Sequence, residues 1–207
     1  SITYVEQKEQ KGTGHALILV KKHIKGKFLV MMGDDWYGKS DIENCLHFEN
    51  AILVSESLHP QDFGVIEHNT MQLKNIVEKP LNPQSNLINT GLYVLQETIF
   101  DYLKEVGTSE RGDIEFPPAL VSLAQESMVQ CVKATEYFSI GYPWDLLRVD
   151  EAVRKGKNYI SKSATVAITG RAENSSVGEG CIIKGLVKNS IIMANSPIEE
   201  GSIVEHS

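Results

Sequence analysis

The chain has 207 residues, 42% hydrophobic and 23% charged, an ordinary composition for a soluble globular protein with room for one full domain and a smaller one. Its 27 acidic against 20 basic residues give a net charge of −7, which argues against a sequence-independent nucleic-acid binder, a class that needs a basic face. The three cysteines, Cys45, Cys131 and Cys181, are far apart and odd in number; with no apolar run near the ~18 residues of a membrane span and no signal peptide, they predict a reducing, cytoplasmic setting and no membrane partner.

The first residues, Ile2 to Glu6, read as a short β-rich run, and the absence of an initiator Met suggests a fragment or a processed product. A polar loop, Gln7 to Gly12, leads to Thr13, a candidate cap for a helix carrying Ala16, Leu17, Val20 and Ile24. Phe28-Leu29-Val30-Met31-Met32 then predicts a strand buried on both faces, as in a parallel sheet, ending on Gly33-Asp34-Asp35. A helix capped by Ser40 with Ile42, Cys45 and Leu46 on one face follows, and then a buried strand, Ala51 to Val54. This strand–helix alternation predicts an α/β domain with parallel strands.

Further on, Gly64 to Glu67 and Leu73 to Glu78 read as a hairpin around His68-Asn69-Thr70. The stretch Lys79 to Asn86 is a loop, because Pro80 and Pro83 leave no room for regular structure. A strand over Leu87 to Leu95 precedes two helices, Thr98 to Glu105 and Glu115 to Gln125, the second admitting Pro117 and Pro118 only in its first turn. Short strands at Met128 to Lys133 and Tyr137 to Ile140 lead to a helix from about Pro143 to Arg154.

After Gly156 the texture changes. Ile160, Val166 and Ala172 fall six residues apart among Gly, Ser and Asn, the pattern of a hexapeptide-repeat β-helix, and later segments carry the same texture in broken register. The residues after 156 are expected to make fewer than three full turns.

The chemistry centres on Gly33-Asp34-Asp35. In open α/β sheets ligands bind beyond the carboxyl ends of strands, so Asp34 and Asp35 are placed to hold a divalent cation; the alternative is a turn that caps the next helix. Gln7-Lys8-Glu9-Gln10-Lys11-Gly12-Thr13-Gly14-His15-Ala16, Gly33-Asp34-Asp35, Glu78-Lys79-Pro80, Asn89-Thr90-Gly91 and Ile140-Gly141-Tyr142-Pro143-Trp144-Asp145-Leu146-Leu147 occur in that order, followed by the repeat tail. Taken together they resemble the sugar-1-phosphate nucleotidylyltransferases, closest in flavour to the enzymes related to N-acetylglucosamine-1-phosphate uridylyltransferase and to glucose-1-phosphate thymidylyltransferase.

The resemblance implies a partial Rossmann-like nucleotidyltransferase domain with a mixed sheet over 1–156, and a short left-handed parallel β-helix over 157–207. It implies that a sugar-1-phosphate attacks the α-phosphorus of UTP or dTTP and releases pyrophosphate, with Mg²⁺ as cofactor. Asp34 would be the catalytic metal ligand and Lys79 the phosphate clamp. Gln7, Gly12 and Thr13 would read the base, while Glu78, Asn89 and Thr90 would bind the sugar, with Gly91 allowing close approach. His15 is read as packed into its helix, and Arg111 to Glu115 either as lining the sugar pocket or as a turn before a capped helix. A homo-oligomer is implied by the tail.

Two departures qualify the match. The family's N-terminal phosphate loop with its Arg is not in this sequence, which on resemblance begins roughly 80 residues into the catalytic domain. Ser139 stands where many relatives carry Asp or Asn as a second metal ligand. Both favour an alternative, a non-catalytic regulatory or assembly relative that binds sugar nucleotides without turnover. An acetyltransferase site is not expected, because the tail is too short to build one.

Overall fold

The computed structural model describes residues 2–109 and 112–207. The chain divides into two compact units, one formed by 2–33 with Tyr37–Tyr137, the other by Asp34–Trp36 with Phe138–Ser207. In chain order the elements up to the second unit's coils are α1 (Gly12–Val20), β1 (Phe28–Val30), β2 (Asp35–Tyr37), α2 (Lys39–Leu46), β3 (Ala51–Glu56), β4 (Gly64–Asn69), β5 (Gln72–Glu78), β6 (Leu87–Leu95), α3 (Ile99–Glu105), α4 (Phe116–Glu126), β7 (Gln130–Lys133), β8 (Tyr137–Ser139) and α5 (Asp145–Arg154).

The first unit is built on a six-stranded sheet in the order β1-β6-β3-β7-β5-β4. The alternation of side chains along β3 explains why it is covered on both sides. Ile52 and Val54 face a core with Leu17 of α1, Ile99, Phe100 and Leu103 of α3, and Phe116 and Leu120 of α4. Ala51 and Leu53 face the opposite way, against Cys45 of α2, Leu92, Val94 and Tyr37. All four strand residues are fully buried, and each large one is worth about 1.5–3 kcal/mol relative to exposure.

The sheet is mixed, with β3 and β7 its parallel pair, Ala51 opposite Gln130. This corrects the expectation drawn from Phe28 to Met32. β1 spans three half-buried residues at the edge of the sheet and runs antiparallel to β6, Phe28 opposite Leu95. A run of apolar residues says that a strand is buried, not which neighbour it pairs with or in which direction. Other expectations also shift. Ile2 to Glu6 forms no strand: Ile2 and Tyr4 stand largely in solvent, and these residues join no ladder among the described residues. Ser40 lies inside α2, whose N-cap is Gly38. The β4–β5 turn falls on Thr70 and Met71, both at positive φ, the geometry of a two-residue type I′ hairpin.

In the second unit α5 is followed by nine short strands, β9 (Tyr159–Ile160), β10 (Thr165–Val166), β11 (Arg171–Glu173), β12 (Ser176–Val177), β13 (Ile182–Ile183), β14 (Leu186–Lys188), β15 (Ile191–Ile192), β16 (Pro197–Ile198) and β17 (Ile203–Glu205). They form three three-stranded parallel sheets, β9-β12-β15, β10-β13-β16 and β11-β14-β17. The chain thus visits each sheet three times. The six-residue step of Ile160, Val166 and Ala172 holds in the first circuit. In the second, Ala172 aligns with Val187 and Ile160 with Val177, so corners shorter than six residues break the sequence register without breaking the ladders.

Those tight corners have a local cause. Asn174, Asn189 and His206 occupy equivalent positions at positive φ, where Asn is the least strained residue after Gly. Asn174 donates to Asn189 Oδ1 at 2.9 Å, one circuit on. Beside them Ser175 and Ser190 are buried, each hydroxyl donating to the carbonyl two residues back, while Ser190 N donates to Ser175 Oγ at 3.1 Å. Satisfied hydroxyls of this kind let polar residues sit inside a corner without leaving orphan groups. The core between the three sheets is Val177, Cys181, Ile183, Val187 and Ile192.

Candidate active site

Asn89, Thr90 and Gly91 lie on β6, and hydrogen bonds hold both side chains of the turn. Thr90 is buried; its hydroxyl donates to Leu53 O at 2.8 Å, and its carbonyl accepts from Tyr37 Oη at 2.6 Å. Asn89 Oδ1 accepts from Gly91 N at 2.9 Å, and the Asn89 amide bonds Tyr93 Oη at 2.8 Å. Gly91 has φ +77°, and a Cβ there would collide with the Met32 side chain, the residue just before Gly33-Asp34. Glycine is required at this point for both reasons.

Glu78 ends β5 opposite Gly64. A Cβ on Gly64 would meet Glu78 Oε2 at 3.1 Å and Asn89 Cβ at 3.6 Å, so the missing side chain lets these two predicted sugar-site residues approach. Lys79 follows at φ +44°, with its N–H donating to Phe63 O at 3.0 Å. A non-glycine residue in this region stores about 1–2 kcal/mol, strain that persists where the surroundings fix the backbone and that collects at binding sites.

The Gln7–Thr13 stretch is anchored to the segment before α4. Gly14 N donates to Ile114 O and Ile114 N to Lys11 O, both at 2.9 Å. Gly12 has φ +86°, and a Cβ there would stand 2.6 Å from Ile114 O. Gln7 Nε2 lies 3.2 Å from Gly12 O and 2.9 Å from His15 Nδ1, which ties the loop's mouth to the His15 ring. The N-cap of α1 is Lys11, and Thr13 makes no cap for its own helix; its hydroxyl accepts from Phe116 N at 3.2 Å, at the start of α4. Of the stretch Arg111 to Glu115, Arg111 lies outside the described residues; Asp113 and Ile114 support the Gly12 loop.

Two residues join the Gly12 loop to the Asn89-Thr90-Gly91 turn. The Phe116 ring meets Tyr93 edge-on with centroids 4.7 Å apart, and Tyr93 bonds Asn89. Thr13, Phe116, Tyr93 and Asn89 therefore form one connected path. Burial pushes the Tyr93 phenol well above its ordinary value, opposed by the Asn89 hydrogen bond and aided by the charge of Glu78, so it remains a neutral donor. Sequence reasoning missed Tyr93; its position four residues after Asn89 on a nine-residue strand is a signal only once the strand's partners are known.

In the second unit Asp34 is exposed at the turn leading into β2. Asp35 Oδ1 accepts from Ile140 N at 3.1 Å, so this carboxylate holds the segment that follows Ser139. Asp145 Oδ2 accepts from Gly141 N at 3.1 Å and Tyr142 N at 2.9 Å, closing the Gly141-Tyr142 turn. Trp36 Nε1 is buried and finds no hydrogen-bond partner among the described residues. No three His, Cys, Asp or Glu side chains converge among the described residues. One exposed hard carboxylate fits Mg²⁺ in its usual mode, held by one or two carboxylates with waters and substrate phosphates completing the shell, and does not fit zinc or a preformed calcium cage.

Among the described residues no helix is long and apolar enough to cross a membrane. The nucleotidyl transferase family model matches residues 1–156. A bifunctional GlmU protein of Methanococcus maripaludis is 39% identical over 192 residues, covering 88% of this chain and 45% of that protein. A UTP–glucose-1-phosphate uridylyltransferase, AglF, of Haloferax volcanii is 32% identical over 154 residues, covering 70% of this chain and 63% of that protein. The chain thus spans about half the length of the first of these relatives and under two thirds of the second. Among solved structures, an apo UDP-glucose pyrophosphorylase superposes with a TM-score of 0.67 at 24% identity over 74% of this chain and 63% of the other, a likeness of fold that, with the family match over 1–156, supports a Rossmann-like α/β nucleotidyltransferase fold. The matched span, the relatives and the ordered motifs agree: the chain belongs to the sugar-1-phosphate nucleotidylyltransferases of the nucleotidyl transferase family.

Proposed function

We propose that the protein transfers a nucleotidyl group from UTP or dTTP to a sugar-1-phosphate, giving a nucleotide sugar and pyrophosphate. The observation that carries this reading is the connected path Thr13–Phe116–Tyr93–Asn89, which couples a glycine-lined base loop to a turn suited to sugar hydroxyls. Gln7, Gly12 and Thr13 receive the pyrimidine. Glu78 and Asn89 face the sugar around Gly64, and Thr90 shapes the sugar-binding turn, since its hydroxyl is committed to Leu53 and its carbonyl to Tyr37. Lys79 neutralises the sugar phosphate, and the positive φ at that residue fixes where its side chain departs.

Asp34 would hold Mg²⁺, which when bound would supply charge neutralisation on the triphosphate. The chain's residues do the rest by holding the attacking phosphate oxygen in line with the α-phosphorus, a positional task that needs no proton transfer from the protein. The UTP assignment is favoured by the uridylyltransferase relative, and the sugar is read as glucose or N-acetylglucosamine.

We read 1–156 as the nucleotidyltransferase module and 157–207 as a short left-handed parallel β-helix of hexapeptide repeats, supported by the pairing of each strand from β9 to β14 with the strand three further on. A cytoplasmic homo-oligomer completes the proposal. The test is pyrophosphate release from UTP or dTTP with glucose-1-phosphate or its N-acetylglucosamine counterpart. Asp34→Ala is expected to reduce turnover at least ~100-fold, with the urea midpoint unchanged because the residue is exposed. Turnover indifferent to Asp34→Ala sinks the metal assignment. A second reading, binding without turnover, is favoured by Ser139, half-buried at the end of β8, where a hydroxyl replaces an anionic ligand. Saturable UTP binding with no pyrophosphate released would select it.

A further inference from the structure

Asp41 is a carboxylate with no solvent exposure, the one charged side chain in that state among the described residues. It lies in the first turn of α2 and accepts three hydrogen bonds. Oδ1 takes the Thr135 hydroxyl at 2.8 Å, and Oδ2 takes the backbone N–H of Thr135 at 2.9 Å and of Glu136 at 2.8 Å. A buried carboxylate is tolerated only when its oxygens are satisfied, so the arrangement holds these donors in place.

The surroundings are built for it. Gly38 N donates to Glu136 O at 2.7 Å, and a Cβ on Gly38 would stand 2.9 Å from Glu136 Cβ and 3.2 Å from Asp41 Oδ2. Gly38 directly follows β2, and Thr135-Glu136 directly precede β8, the strand paired with β2. The carboxylate therefore staples the residue after one strand to the residues before the other. At the opposite ends of the same strands lie Asp34, which precedes β2, and Ser139, which closes β8; there Asp35 takes the Ile140 N–H.

We propose that Asp41 is the positioning residue of the metal site, its buried carboxylate stapling the start of β8 to the end of β2 and so fixing Asp34 against the Ser139-Ile140 segment. The inference rests on the reading of Asp34 as the metal ligand. Asp41 never touches substrate or metal; it acts through the backbone of Thr135 and Glu136. Charge is not the essential property. An asparagine can turn its oxygen to the two N–H groups and its NH₂ to the Thr135 hydroxyl, whereas an alanine leaves all three donors unpaired.

The test is Mn²⁺ binding to the protein followed by electron paramagnetic resonance, with wild type, Asp34→Ala, Asp41→Ala, Asp41→Asn and Thr135→Val compared at a temperature where each is folded. Asp34→Ala is expected to abolish the binding. Asp41→Ala should weaken it about tenfold, Thr135→Val about threefold, and Asp41→Asn should restore it to within about twofold of wild type. In turnover, the same order should appear in the metal concentration needed for half-maximal rate, with KM for the sugar phosphate unmoved. Should Asp41→Ala not fold, the Thr135→Val and Asp41→Asn pair decides alone. Asp41→Ala, or that pair, binding Mn²⁺ as wild type does while Asp34→Ala loses it would overturn the staple and leave the metal site standing. Mn²⁺ binding indifferent to Asp34→Ala overturns both.

Discussion

Gly91→Ala measures how tightly the Asn-Thr-Gly turn is packed against the chain that leads to Asp34. Two costs follow from the structure. The first is backbone strain, because φ +77° is a left-handed conformation worth about 1 kcal/mol against an L side chain. The second is collision with the Met32 side chain, which has no room to accept a methyl and must move. Overpacking of this kind costs about 1–3 kcal/mol. The sum, about 2–4 kcal/mol, corresponds to a fall of roughly 5–15 °C in Tm for a chain of this size. The assay is equilibrium unfolding in urea of a double-mutant cycle with Met32→Ala. Shortening Met32 removes the collision and leaves the strain, so the Gly91→Ala penalty should drop to about 1 kcal/mol in that background, a coupling of about 1–3 kcal/mol. A penalty unchanged by Met32→Ala would refute the reasoning, since the contact would then carry none of the cost.

At the corner of the second unit, Asn189→Gly and Asn189→Ala both lose the bond from Asn174, but only alanine keeps the left-handed strain, so alanine should cost about 1 kcal/mol more than glycine; equal effects of the two in urea unfolding would show that φ does not decide the position. Burial pushes the Cys45 and Cys131 thiols up to about 12, with the Asp41 charge adding to the effect at Cys45. Their protonated forms are thus favoured by folding, a contribution fully present below the unfolded thiol's value near 8.5 and lost as pH rises through about 12. Both thiols should resist a thiol reagent at pH 8 until urea unfolds the chain, and prompt labelling of the native protein would contradict their burial.

What the sequence disclosed was mostly local. The Ala51 to Val54 run gave a doubly covered strand, Pro80 and Pro83 gave the loop, and Pro117-Pro118 fell in the first turn of α4 as their missing N–H groups require. What it hid depended on distant partners. Thr13 looks like the cap of its own helix, yet its hydroxyl serves α4, 103 residues on. Asp41 reads as an ordinary first-turn acid until its donors, 94 and 95 residues away, are seen. The direction of β1 was equally illegible, because an apolar run carries no information about which strand lies beside it. At the site, the motif residues could be named from the sequence, but Tyr93 and Phe116, which tie them together, could not, since apolar positions on a strand and a helix look alike wherever they pack. The repeat register was lost for a different reason: hexapeptide periodicity presumes equal corners, and Asn174 and Asn189 shorten theirs.

The two units close their chains over very different distances. In the coil unit Ser176 pairs with Ile191, 15 residues on, whereas in the first unit Ala51 must find Gln130, 79 residues away. The longer closure costs about 1.5 kcal/mol more in chain entropy before any contact rewards it. Both pairings are parallel, a kind normally among the slowest to form in folding, and the one in the second unit is by far the more local. Refolding should therefore protect the amides of 176–192 from exchange before those of 51–54, an order that pulse-labelled hydrogen exchange can read and that the reverse sequence of protection would disprove.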